Sequence, residues 1–135
     1  MTAKAKQDSL ESVYEELQAL LAEYAPPFVL KEGTVKRKRD LHLQAPKPVI
    51  VPGRYGGSPK MVGMASIILQ KGYVGFYFLP IYLEPGLAKK LPPELRKLLK
   101  GKTCFYIRKW TPELKKDVQT ALEIGKKDFA GRGWI

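Results

Sequence analysis

The sequence predicts a single α+β domain in which antiparallel strands lie between an N-terminal and a C-terminal helix. Amphipathic helical periodicity is strongest at the two ends of the chain, and short apolar segments separated by turn residues occupy the middle. A length of 135 residues suits one hydrophobic core. We therefore expect one domain over residues 1–135, with residues 1–8 as a flexible tail.

Residues 9–24 predict the first helix. Apolar side chains recur every three or four residues and form one stripe: Leu10, Val13, Tyr14, Leu17, Leu20, Leu21 and Tyr24. Asp8 and Glu11 have the spacing of a capping box, and Pro26 with Pro27 marks the end of the helix. The apolar stripe indicates that this helix packs on the sheet.

Alternating apolar residues and turn signals predict five strands. They cover residues 28–30, 34–43, 61–69, 73–79 and 103–109. In the second strand, Leu41 and Leu43 alternate with polar residues, which is typical of a strand with one face in water. The third and fourth strands flank Lys71-Gly72 and predict a central β-hairpin, with Ile68 and Phe76 in the core.

Proline and glycine mark the long connections. Residues 44–60 predict a loop, of which residues 49–51 pair briefly at an edge of the sheet. After one helical turn over residues 87–91, a short helix over residues 92–99 is closed by Gly101, because glycine accepts the left-handed conformation that ends many helices.

The last helix has clear signals at its start. Thr111 is a good N-cap residue, and Pro112 suits the first helical position. The predicted buried stripe is Leu114, Val118, Ala121, Leu122 and Gly125. Residues 131–135 are expected to form a loop.

Charge is unevenly distributed along the chain, whose formal net charge is +11. The first 25 residues carry five acidic and two basic side chains, and the remainder is strongly basic. This balance indicates either a surface that attracts phosphates, nucleic acid or acidic proteins, or basic groups spread evenly over the surface. We expect weak, sequence-independent binding to polyanions that falls with salt.

The cysteine and histidine content limits the chemistry of the chain. Cys104 alone cannot form an intramolecular disulfide, and His42 alone excludes a His–His metal pair and most histidine-centred triads. P-loop, Rossmann, zincin and CxxC motifs are absent, as is an apolar run of about 20 residues. We expect a cytoplasmic protein that is not an enzyme, uses no cofactor and has no secretory signal, with Cys104 as a buried, slowly reacting thiol.

The candidate ligand-binding residues are cations and tyrosines. The segment RYGGSPK places Arg54 and Lys60 among glycines, and backbone N–H groups there can cradle a phosphate. Tyrosines beside Lys or Arg can stack on bases, although half of an alternating strand must face the core. We expect uncompensated charge and cleft aromatics at Arg54, Lys60, Lys71, Tyr77, Tyr82 and Lys102.

Residues 60–125 resemble the YdhG-like family, also called domain of unknown function 1801. The resemblance is carried by VGMASIILQK (62–71), YVGFYFLPIYLEPGL (73–87) and LPPELRKLLKGKTCFYIRKW (91–110). Its most specific parts are Tyr73-Val74, Pro80-Ile81-Tyr82, Pro93-Glu94-Leu95 and Gly101-Lys102-Thr103-Cys104-Phe105. Similar proteins tend to have a histidine where this chain has Phe76-Tyr77-Phe78, so no histidine site is expected there.

The resemblance implies a two-layer α+β sandwich, with one antiparallel sheet of about five strands and both terminal helices on one face. Some relatives have been likened to frataxin, an iron chaperone that uses acidic residues of its first helix; here these would be Glu11, Glu15 and Glu16. Our first interpretation is a small binding or adaptor protein, monomeric or homodimeric, without a catalytic constellation. The alternatives are a basic binder of nucleic acid or phosphate ligands, and a frataxin-like iron-binding chaperone.

Overall fold

In the part of the chain that the structure describes, one antiparallel sheet of six strands forms the centre of the fold. The computed structural model describes residues 9–33 and 39–135, so the expected tail (1–8), Asp8 and the start of the second predicted strand lie outside the described residues. The strands are β1 (Val29–Glu32), β2 (Asp40–Gln44), β3 (Gly63–Gln70), β4 (Tyr73–Phe78), β5 (Leu99–Lys100) and β6 (Cys104–Ile107). Their order is β1-β2-β3-β4-β6-β5, which confirms the hairpin β3–β4 at the centre of the sheet.

Four α-helices accompany this sheet in the described part of the chain. They are α1 (Leu10–Ala22), α2 (Pro80–Leu83), α3 (Pro93–Arg96) and α4 (Pro112–Gly131), with 3₁₀ turns at Tyr55–Gly57 and Pro85–Lys90. The two long helices, α1 and α4, cover one face of the sheet, so the predicted α+β sandwich is confirmed with one strand more than the expected five.

The core lies between these two layers. Val13 and Leu17 of α1 and Val118 of α4 are completely buried, as are sheet residues that share the covered face. The latter are Leu43, Ile67, Val74, Phe76, Phe78, Phe105 and Ile107. Full burial of one such side chain contributes about 1.5–3 kcal/mol, so the covered face holds the two layers together.

The first helix begins at a different cap from the one predicted. The side chain of Ser9 accepts a hydrogen bond from the Ser12 N–H at 3.1 Å, so Ser9 is the N-cap. Ser9 satisfies one of the unpaired N–H groups at the helix start, as a serine in this position commonly does. The predicted apolar stripe is confirmed, because its members from Val13 to Tyr24 are buried.

The predicted helix over residues 92–99 is wrong in its second half. α3 ends at Arg96, and Leu99 belongs to β5. The Tyr106 N–H donates to the Leu98 carbonyl at 3.0 Å, so pairing with the edge of β6 replaces further helical turns. Gly101 does have a positive φ of 75°, but it lies in the β5–β6 turn rather than at a helix end.

Several local predictions are confirmed. Val49 pairs briefly, as expected, but with Lys60 of the same loop in an isolated β-bridge instead of at an edge of the sheet; the N···O distances are 2.8 and 2.9 Å. Thr111 caps α4 by accepting from the Leu114 N–H at 3.0 Å. The predicted stripe of α4 is buried and is extended by Phe129, whose ring meets Trp134 edge-on at 4.9 Å.

The second face of the sheet is not covered by α1 or α4. Side chains on this open face are partly exposed, and they include His42, Ser66, Ile68, Tyr73, Tyr77 and Tyr106. Ile68 was expected in the core; it lies instead on the open face, opposite Gly75. The open face is therefore accessible to ligands at these partly exposed side chains.

Candidate functional site

A cleft forms where β4 ends and the β5–β6 turn begins. Pro80 starts α2 directly after β4, and this short helix carries Tyr82. The β5–β6 turn carries Lys102, and the loop after Val51 brings Arg54 to the same place. Thus three segments that are distant in the sequence supply the polar residues of one cleft.

Two cations lie against one tyrosine ring in this cleft. The guanidinium carbon of Arg54 is 4.5 Å from the centre of the Tyr82 ring, and Lys102 Nζ is 5.7 Å from it. Both distances are within the range of a cation–π interaction, in which the negative face of the ring attracts the cation. Tyr82 therefore holds two like charges close together.

The rest of the cleft is apolar. Its volume is about 440 Å³, and the lining residues besides Arg54, Tyr82 and Lys102 are Ile81, Pro85, Ala88 and Leu99. An apolar wall with a few convergent polar groups is the usual composition of a small-molecule site. The cleft is thus suited to a ligand with both a flat or apolar part and a negative charge.

No carboxylate pairs with either cation of the cleft within residues 9–33 and 39–135. Glu84 lies nearby in the sequence, but its carboxylate is 3.8 Å from Arg132. Two neighbouring cations repel each other, so the cleft carries uncompensated positive charge. This is the electrostatic setting that an anion would relieve.

The Arg54 loop has an unusual backbone. Gly53, Gly56 and Gly57 have positive φ values of 72°, 61° and 82°, which glycine adopts without a steric penalty. Tyr55 also has a positive φ, of 53°, although its ring is exposed. Non-glycine residues in this region are strained and cluster at functional sites, which adds weight to a role for this loop.

The structure brings together only part of the residue set predicted from the sequence. Arg54, Tyr82 and Lys102 line the cleft. Lys71 lies exposed in the β3–β4 turn, at the opposite end of β4, and Lys60 is exposed in the β-bridge with Val49. Lys71 is therefore separated from the cleft by the length of β4, and Lys60 is not among the residues that line the cleft.

Tyr77 belongs to the open face of the sheet instead of this cleft. A Cβ on Gly75 would lie 2.8 Å from Tyr77 Cε1, so the tyrosine ring packs over the glycine. Burial and a hydrogen bond with Cys104 raise the pKa of the Tyr77 phenol. Because Gly75 has no side chain, the Tyr77 ring can pack directly over it.

Cys104 is buried beside Tyr77, as the sequence predicts. Burial raises the pKa of its thiol, which outweighs the opposite effect of the hydrogen bond with Tyr77. A raised pKa leaves less of the reactive thiolate at neutral pH. The environment of Cys104 is that of a structural thiol.

A second polar cluster lies on the open face and was missed by sequence reasoning. His42 Nδ1 is 2.7 Å from Ser66 Oγ, and His42 Nε2 is 2.9 Å from Asp40 Oδ2. Alternation along β2 signals that Asp40 and His42 share a face, but only the β2–β3 register places Ser66 opposite His42. The sequence contains no signal for that register.

The carboxylates of α1 that form the candidate metal site are exposed. Glu11, Glu15 and Glu16 all face solvent, and Glu15 Oε2 is 4.0 Å from Arg39 Nη1. Within the described ranges, no group of three or more His, Cys, Asp or Glu side chains is arranged to hold a metal ion. The geometry therefore gives the iron hypothesis no specific support.

Comparisons with protein-family models, with curated proteins and with solved structures gave no match. None of the helices in the described residues is long and apolar enough to cross a membrane.

Proposed function

We propose that this protein binds a phosphate-bearing ligand with a flat organic part, such as a nucleotide or a single-stranded nucleic acid, in the cleft of Arg54, Tyr82 and Lys102. The observation that carries the proposal is the pair of cations on one tyrosine ring, neither with a carboxylate partner in the described part of the chain. The ligand would supply the missing negative charge.

The three side chains match the parts of such a ligand. Arginine presents a planar set of donors that fits phosphate oxygens two at a time, and lysine adds a compact point charge. Beside the Tyr82 ring, whose face the two cations occupy, the apolar wall that includes Pro85, Ala88 and Leu99 offers a surface for the flat part of the ligand. The net charge of +11 supports the approach of an anion from solution.

The proposal describes a binding or adaptor protein in which the ligand is held and not transformed at this cleft. Affinity that comes from two cations and one ring is expected to be modest and insensitive to base sequence, because contacts with phosphate carry no sequence information. The YdhG-like resemblance remains a prediction and names no ligand.

Titration followed by amide chemical-shift changes tests the cleft directly. The probes are adenosine monophosphate, adenosine, inorganic phosphate and a short oligothymidylate. We expect adenosine monophosphate and the oligonucleotide to shift signals from residues 81–88 and from the β5–β6 turn. Adenosine and phosphate alone should bind more weakly, because each supplies only part of the match.

Matched variants make the test specific. Arg54→Ala and Lys102→Gln should each weaken binding of adenosine monophosphate about tenfold, which corresponds to the loss of about 1.4 kcal/mol. Lys71→Gln removes the same charge as Lys102→Gln at the other end of β4 and should leave the affinity unchanged. Equal losses in Lys71→Gln and Lys102→Gln would show that only net charge matters and would overturn the proposed site.

Nothing in the geometry favours the iron alternative as a second candidate function. It remains testable by an anaerobic ferrous titration. Tight binding that is lost when Glu11, Glu15 and Glu16 are all replaced by glutamine would favour it over the cleft.

A further inference from the structure

The polar cluster on the open face connects a serine, a histidine and a carboxylate in one chain of hydrogen bonds. Ser66 Oγ lies 2.7 Å from His42 Nδ1, and Asp40 Oδ2 lies 2.9 Å from His42 Nε2. The order nucleophile, base and orienting acid is the arrangement that activates a serine in hydrolases of unrelated folds. Here the imidazole contacts the serine through Nδ1 and the acid through Nε2.

The hydrogen-bond partners fix the proton positions in neutral His42. A carboxylate only accepts, so Nε2 carries the proton and donates it to Asp40. Nδ1 then has a free lone pair, which accepts the Ser66 hydroxyl proton. This tautomer is the one in which the imidazole can act as a general base toward Ser66.

Asp40 is suited to stabilise a charged imidazole. Its side chain is only 11% exposed, and Oδ1 is buried without a hydrogen-bond partner among the described residues. The attraction between a largely buried carboxylate and a neighbouring cation is screened less than it would be in water. Protonation of His42 during catalysis would provide that cation.

A cavity opens in front of Ser66. Its volume is about 350 Å³, and both His42 and Ser66 line it. The register between β2 and β3 shifts at Leu43 and Gln44, which brings Gly63 to the side of Ser66. A Cβ on Gly63 would lie 3.5 Å from Ser66 Oγ, so Gly63 is an immediate neighbour of the hydroxyl. Bulges of this kind are frequent next to active sites, where they redirect the chain.

We propose that Ser66, with His42 as its base and Asp40 as a positioning residue, hydrolyses small uncharged carboxylic esters. The mostly apolar wall of Met61, Val62, Ile68 and Leu79 indicates an uncharged acyl group. Gln44 and Tyr55 also line the cavity, and we assign the Gln44 amide and the Tyr55 hydroxyl the role of donors to the negatively charged carbonyl oxygen. This activity is independent of the Arg54–Lys102 cleft.

The reaction balances without any further reagent. Ser66 Oγ bonds to the ester carbonyl carbon while its proton moves to His42 Nδ1. When the tetrahedral intermediate collapses, the bond to the leaving oxygen breaks, and that oxygen takes the proton from Nδ1. Water then attacks the acyl-serine with His42 again accepting and returning a proton, which releases the carboxylic acid and restores Ser66.

A fluorophosphonate probe tests this proposal on the folded protein. Attack by Ser66 forms a P–O bond and expels fluoride, so the modified residue can be located by peptide mass spectrometry. The experiment uses a Cys104→Ala background to exclude reaction of the thiol. We expect one adduct, on Ser66, together with hydrolysis of p-nitrophenyl acetate above the rate in buffer.

Variants separate catalysis from a purely structural role of the cluster. His42→Gln should slow phosphonylation at least 100-fold, within the range that a general base contributes. Asp40→Asn should reduce the rate and change its pH profile, and Ser58→Ala, on the exposed loop, should leave it unchanged. Absence of an adduct on Ser66 in the folded Cys104→Ala protein, or an equal rate of phosphonylation in His42→Gln, would overturn the proposal.

Discussion

Replacement of Gly125 by alanine tests how closely α4 packs on the covered face of the sheet. Gly125 lies in the middle of α4, where a glycine costs about 1 kcal/mol relative to alanine because of its conformational freedom. An alanine in an unhindered helix would therefore stabilise the protein. At this position, however, the helix lies too close to the sheet for that gain to be realised.

The magnitude follows from the contacts that the new methyl group would make. It would lie 2.5 Å from Met64 Sδ and 2.9 Å from Phe78 Cε1, and both partner side chains are completely buried. Such overpacking costs about 1–3 kcal/mol. After subtraction of the helix gain, we expect Gly125→Ala to lower the free energy of unfolding by about 1 kcal/mol.

Chemical denaturation with urea measures this change, and two further variants make it interpretable. Gly131→Ala is the matched control, because Gly131 ends the same helix and nothing lies within 4 Å of a Cβ there. It should leave stability unchanged or raise it slightly. Combining Gly125→Ala with Met64→Ala should show a favourable coupling of about 0.5–3 kcal/mol, since truncation of Met64 removes the closest contact. A gain of about 1 kcal/mol for Gly125→Ala alone would refute the close approach of α4 to β3 and β4.

Three other predictions concern the layers, the thiol and the cleft. Phe76→Ala should lower the free energy of unfolding by about 3–5 kcal/mol, because Phe76 is fully buried. Ile68→Ala, on the open face, should lower it by no more than about half as much, and urea denaturation measures both changes. Labelling of Cys104 with a thiol reagent at pH 7 should be much slower in the folded than in the denatured protein, because burial raises the pKa of the thiol and leaves less thiolate. The rate in the folded protein should increase with pH as more thiolate forms. Equal rates in the folded and denatured protein would contradict this prediction. Removal of Arg54 or Lys102 should reduce the slope of log affinity against log salt for an oligonucleotide by about 0.7 each, and an unchanged slope would remove that residue from the interface.

Local sequence signals predicted the elements whose formation depends on nearby residues. The stripe of α1, the Thr111 cap of α4 and the β3–β4 hairpin were all correct, because helix periodicity, capping and tight turns act over a few residues. The errors arose where distant partners compete with local preference. Leu99 left its predicted helix because the edge of β6 offered hydrogen-bond partners.

The candidate sites were predictable in composition but not in arrangement. Charge and aromatic content indicated Arg54, Tyr82 and Lys102, yet the same reasoning also selected Lys71, which the direction of β4 places at the far end of the strand. Which cations converge depends on where three separate segments meet, and residue types do not encode this in any short window.

By itself, the sequence determined the α+β class, the buried faces of the two long helices and the excess of positive charge, since these depend on residue type and short-range periodicity. Only the tertiary structure decided that two cations share the ring of Tyr82 and that Ser66 lies opposite His42. The physical reason is strand register: a shift of one residue would turn Ser66 to the covered face and abolish the cluster. The packing of the whole covered face against α1 and α4 sets that register. No isolated segment of the sequence contains both sides of these packing contacts.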